Sequence, residues 1–185
     1  MQIGSGIEGN KDGNFAEAQF NSPQGILYKD NKLYIADTDN HIIRQVDLQT
    51  KQVTTIAGTG KKGYERRAKN AIALQTAMAS PWDLTFFPDQ IYLAIAMAGT
   101  HQLWLYNIKT SRVTVLAGNG REAIDDGAYP YNSLSQPSGL AVHDNKLYFV
   151  DSETSSLRVL EDDKITTLIG TGLFDFGYAE GKKTK

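Results

Sequence analysis

Two ionisable pairs recur at one spacing: Asp37 with Arg44, and Asp151 with Arg158, each seven positions apart. An aspartate that ends a strand accepts backbone N–H groups of its own turn, and an arginine one hairpin across pairs with it. That chemistry is structural: it holds a turn closed and moves no proton. At the equivalent positions between these pairs stand Met97 and Trp104. Losing both members together is what a coupled pair predicts, because one charge left alone in a half-buried turn costs roughly 1–3 kcal/mol. The exchange also brings Met97, His101 and Trp104 near one end of a repeat, an aromatic and apolar group suited to binding, or, for Trp104, to packing between blades. With Trp82, Tyr129 and Tyr131 they form the candidate ligand-binding set.

The histidines raise the question of a metal. His41 and His101 occupy equivalent positions, but the third copy has Ser155 there, and His143 has no counterpart. A three-histidine set is not assembled, so neither metal nor other cofactor is expected. The sequence has no cysteine, which removes thiol nucleophiles, disulfides and Cys-ligated zinc. The glycine pairs such as Gly58-Thr59-Gly60 lack the Lys-Ser/Thr and following helix that a phosphate loop needs. Lys11-Asp12-Gly13 and Asp125-Asp126-Gly127 carry too few spaced carboxylates for a calcium loop and read as tight turns. No catalytic constellation is visible, and the expected protein is not an enzyme.

The elements that must position these residues repeat three times in 185 residues. A glycine pair recurs at Gly58/Gly60, Gly118/Gly120 and Gly170/Gly172, with a partial copy at Gly4/Gly6. A proline anchor recurs at Pro23, Pro81 and Pro137, each preceded three residues earlier by a large apolar side chain: Phe20, Met78, Leu134. Each copy reads as four short strands with polar turns: 25–28, 33–36, 41–47 and 53–56, then 83–87, 91–96, 102–108 and 112–116, then 139–143, 147–150, 156–160 and 165–169. A unit of this size and pattern is a propeller blade. The fold class is all-β: three four-stranded antiparallel blades, at about 14–60, 75–120 and 130–172. The connecting loops are 61–79 and 121–135, and 68–78 is read as a short surface helix.

These residues resemble the NHL-repeat propellers. The first blade carries Pro23-Gln24-Gly25-Ile26, then Leu33 to Arg44 with Asp37-Thr38-Asp39-Asn40-His41, then Ile56-Ala57-Gly58. The strings Phe20-Asn21-Ser22-Pro23, Ser80-Pro81-Trp82-Asp83, Ala96 to Trp104 and Asp151 to Arg158 are similar to successive blades of thioredoxin-linked NHL-repeat proteins. The resemblance implies a six-bladed ring of which this chain holds about three blades, and Asp37, Arg44, Asp151 and Arg158 as blade-holding residues. Propeller lyases of a related type hold a metal with histidines around the channel, and some NHL domains bind RNA. Those are the two alternative functions.

Three blades do not close a ring, so the chain is expected either to be half of a longer propeller or to self-associate. The net charge of −2 lacks the positive excess of a nucleic-acid binder, whose only support is the cluster Lys61, Lys62, Arg66, Arg67 and Lys69. No membrane partner is expected: no apolar run spans a bilayer, and only the Lys182, Lys183, Lys185 terminus is locally basic. No secretory signal is visible, which favours a cytoplasmic location. The expected function is a recognition scaffold that binds a protein, peptide or small carbohydrate through loops on one face.

Overall fold

The computed structural model describes residues 2–170 and 172–174; Thr171 of the third glycine pair and the lysine-rich terminus lie outside the described residues. Blade 1 comprises β1 (Gly13–Asn14), β2 (Pro23–Lys29), β3 (Lys32–Asp37), β4 (Ile42–Asp47) and β5 (Gln52–Ala57). Blade 2 comprises β6 (Ala71–Ile72), β7 (Pro81–Phe86), β8 (Tyr92–Met97), β9 (Gln102–Asn107) and β10 (Arg112–Ala117). Blade 3 comprises β11 (Gly127–Ala128), β12 (Pro137–His143), β13 (Lys146–Asp151), β14 (Ser156–Glu161) and β15 (Lys164–Ile169). The strand order β1-β5-β4-β3-β2 repeats in all three sheets. Four long strands form each antiparallel meander, as the alternating runs require. The fifth is two residues long, too short for a periodic signal, and pairs onto the outer edge from the preceding loop, as Gly13 does opposite Val53.

The inner strands meet one another: β7 lies against both β2 and β12. Between blades 1 and 2, Tyr34 meets Phe86 edge-on at 5.1 Å between ring centroids in a cluster that includes Ile43, Leu84 and Met78. A second cluster joins Leu103 and Ala117 of blade 2 to Leu134 and Phe149 at blade 3. The two outer flanks differ from these internal faces. Ile26 is 62% exposed where its counterpart Leu84 is 3%, and Ile169 is 64% exposed where Ala57 is 0%.

The glycine pairs are required by backbone geometry. Gly4, Gly58, Gly118 and Gly170 all have φ between +86° and +118°, a region that side chains with a Cβ rarely enter. The surface helix expected at 68–78 does not form. That stretch holds β6 and a single 3-10 turn, Ala73–Gln75. Its carbonyls serve one strand and the loop after β5 instead of an internal helical ladder: Ala68 accepts the Val115 N–H at 2.8 Å, Ala73 that of Gly58 at 3.0 Å, and Met78 that of Gly63 at 2.8 Å. Among the described residues no helix is long and apolar enough to cross a membrane.

Candidate functional site

Residue spacing and strand register bring Asp37 and Arg44 together. Asp37 lies opposite Ile42, and Ile35 opposite Arg44, so the two side chains are diagonal neighbours on one sheet face. The Arg44 guanidinium is fully buried and donates to Asp37 at 3.0 Å, to Asp12 at 2.9 Å, and to the carbonyls of Gln19 and Lys11 at 2.6 and 2.9 Å. Asp12 in turn accepts the Thr55 N–H and hydroxyl, both at 2.9 Å. Blade 3 repeats the arrangement. Arg158 donates to Asp151 at 2.9 Å and to Asp126 at 3.0 Å, and Asp126 accepts Thr167 twice at 2.8 Å. Burial pushes the Asp151 carboxyl above its ordinary value, against the opposing pull of the Ser135 N–H and of Arg158.

Blade 2 exchanges the whole set. Strand register puts Asn70 at the position of Asp12, and the Ala68 carbonyl accepts the Val115 N–H as the Asp12 carboxylate accepts that of Thr55. Met97 stands for Asp37, Trp104 for Arg44 and Val115 for Thr55, and Ala68 is buried with these three. The Met97 sulfur takes over the carboxylate's task of accepting a backbone N–H, from Ala79 at 3.3 Å. The Trp104 indole N–H donates to Gln102 at 3.1 Å. Gln102 also donates to the Arg66 and Gly118 carbonyls at 3.0 and 2.8 Å, tying loop 61–79 to the blade. One trace of the exchange remains: the buried Thr100 hydroxyl has no partner among the described residues. Its counterpart Asn40 donates to Asp37, the carboxylate that blade 2 lacks.

The equivalent histidines are joints between blades. His41 Nδ1 accepts the Ser80 N–H at 3.1 Å, and His101 Nδ1 accepts the Gln136 N–H at 3.2 Å. Both donors immediately precede the next blade's proline. Burial, helped by Lys62, holds the His41 imidazole below its ordinary pKa, with Asp39 and the Thr38 carbonyl acting the other way. Among the described residues no three His, Asp or Glu side chains converge on a metal position.

A cleft of about 390 Å³ opens beside these joints, where the inner strands begin. It is lined by Gln24, Thr38 and Asp39 of blade 1, by Ser80, Trp82, Ala98, Gly99 and His101 of blade 2, and by Gln136 of blade 3. Blade 2 makes the room. Ala98-Gly99 replaces the larger Thr38-Asp39 and Ser152-Glu153 of its neighbours, and a Cβ on Gly99 would sit 2.7 Å from the Ala79 carbonyl oxygen. Trp82 replaces Gln24 and Ser138.

The candidate binding residues therefore separate into three groups. Trp82 and His101 line the cleft. Met97 and Trp104 are fully buried within blade 2 and reach no surface. Packing claimed them because a tryptophan in the arginine's place fills the volume of that ion cluster. Tyr129 and Tyr131 lie in the outer loop 121–135 away from the cleft, Tyr131 at 81% exposure. The loops 61–79 and 121–135 also deliver structural carbonyls, from Arg66 to Gln102 and from Asp125 to Arg158. Sequence reasoning places Asp12 and Asp126 in tight turns and misses their pairing with the arginines, yet a signal exists: both precede a glycine and lie 114 positions apart, the separation of Arg44 from Arg158.

The repeats, sheets and inner strands define an NHL-repeat β-propeller. The chain is 37% identical over 97% of its length to NHL repeat-containing protein 2 of Gallus gallus and of Homo sapiens, covering 28% of each. It is 42% identical over 87% of its length to Protein SUPPRESSOR OF QUENCHING 1, chloroplastic, of Arabidopsis thaliana, covering 16% of it. The chain thus spans less than a third of the length of these relatives. No family model matches. Among solved structures it is similar in fold to an auxiliary nutrient binding protein from Bacteroides ovatus (TM-score 0.59, 18% identity, 83% of this chain and 38% of that one). It is also similar to virginiamycin B lyase from Staphylococcus aureus (TM-score 0.53, 17% identity, 78% and 40%).

Proposed function

We propose that this propeller segment is a non-enzymatic recognition scaffold, and that the cleft beside Trp82 receives a protein segment, a peptide or a small carbohydrate. The observation that carries the reading is the cleft itself. It is large enough for a ligand group, it holds a half-buried aromatic, and it exists because blade 2 departs from its neighbours at Trp82, Ala98 and Gly99. The other irregular features have structural tasks. The buried ion clusters hold loops to blades, and His41 and His101 spend Nδ1 on the next blade's backbone, which speaks for binding rather than proton transfer.

The test is binding of the chain to peptide and glycan arrays, with Trp82→Ala alongside and its fold checked by circular dichroism. Ligands captured by the native chain and lost in Trp82→Ala support the reading. Ligands captured equally by both proteins would move recognition elsewhere, with the Tyr129 and Tyr131 loop as the next surface to test.

A further inference from the structure

The lining of the cleft narrows the ligand, on the reading that the cleft is the recognition site. Its charge inventory is nearly empty. Among the described residues that line it, Asp39 is the sole formal charge and none is a lysine or arginine, and His101 is committed through Nδ1 to the Gln136 N–H. A phosphate or carboxylate ligand would meet no cation and one repelling carboxylate. A basic peptide would gain only a single exposed ion pair, which salt screens. An apolar peptide would cover Gln24, Asp39, Ser80 and Gln136 without satisfying them, and each group left dry and unpaired weakens binding.

What remains is a neutral ligand rich in groups that both donate and accept. The Gln24 and Gln136 carboxamides and the Ser80 hydroxyl do both, and Asp39 accepts only. The side chains of Gln24, Asp39 and Gln136 make no hydrogen bond or ion pair within the described residues, so they are available to a ligand. Trp82 adds a flat apolar ring beside this polar set, amphipathic as half-wet binding sites use it. We infer that the cleft binds a pyranose ring of a neutral oligosaccharide, its C–H face on Trp82 and its hydroxyls toward Gln24, Asp39 and Gln136.

The test is titration of the chain with three neutral trisaccharides, maltotriose, cellotriose and chitotriose. It follows tryptophan fluorescence, where Trp104 is buried and Trp82 faces the cleft, and calorimetry. Saturable binding of at least one, with a dissociation constant of order 1 mM or tighter, is expected. It should be abolished in Trp82→Ala and weakened at least threefold in Gln24→Ala, a surface change that leaves the fold intact. Binding should not change between low and high salt. No response to any of the three overturns the sugar assignment. If array peptides then still require Trp82, the recognition reading stands with a peptide as ligand, and if nothing on either array requires Trp82, both readings fall. Sugar binding that survives Trp82→Ala overturns the placement in this cleft.

Discussion

Blades 1 and 3 solve one packing problem with charge, and blade 2 solves it with volume. In the outer blades a fully buried arginine ties two carboxylates and two loop carbonyls together. In blade 2 the same space holds Trp104 against Met97, Ala68 and Val115, and Gln102 bonds the Arg66 carbonyl of the loop. Replacing a buried ion cluster by well-packed apolar side chains is often neutral or stabilising, whereas removing one member costs several kcal/mol. The lesson is that these residues form a unit, exchanged together or not at all. On its surface the same blade also departs from its neighbours, with Trp82, Ala98 and Gly99 opening the cleft.

The comparison breaks most visibly where one kind of solution is put inside the other. Trp104→Arg places a charge among Met97, Ala68 and Val115 with no carboxylate to meet it, and should destabilise by more than about 4 kcal/mol, read as a fall in the urea midpoint. Arg158→Met leaves the buried Asp151 without its cation and should cost about 3–4 kcal/mol in the same measurement.

His41→Phe removes the acceptor of the Ser80 N–H and should cost about 1–2 kcal/mol at neutral pH. The joint also responds to acid. The His41 imidazole is harder to protonate in the folded chain than in the unfolded one, so the unfolded state binds more protons. Stability from this group is present above its ordinary pKa near 6.5 and lost as pH falls through and below it. Native and His41→Phe proteins should therefore converge in melting temperature as the pH is lowered from about 7 to 5, and parallel pH profiles would show that the joint does not titrate. The smallest effect expected is from Thr55→Val, which removes one half-exposed hydroxyl bond to Asp12 and should cost about 0.5–1 kcal/mol.

Much of the fold is legible because its signals are local and repeated. The proline anchors, the glycine pairs that need positive φ and the alternation of each strand place all twelve long strands within about two residues. The two-residue outer strands are silent, since two residues show no period. The stretch 68–78 misleads: its alanines suit a helix, but its carbonyls are claimed by β10 and by the loop after β5. The site is only partly legible. The joint departure of Met97 and Trp104 identifies the coupled pair, but their burial is decided by packing from loop 61–79 that no spacing reveals. Gln24, Asp39 and Gln136 each look unremarkable alone. They become a lining only when three blades bring them to one place.

The claim that the arginine cluster and its apolar replacement are interchangeable units is tested most directly by grafting one onto the other. Blade 1 would carry Asp12→Asn, Asp37→Met, Arg44→Trp and Thr55→Val together, compared with Arg44→Trp alone, both by urea denaturation. The single change should cost about 3–5 kcal/mol and the fourfold change should recover all but about 1–2 kcal/mol of it. A fourfold variant no more stable than the single one would contradict the account, showing that blade 2 stands on packing of its own rather than on the exchange of one coupled set.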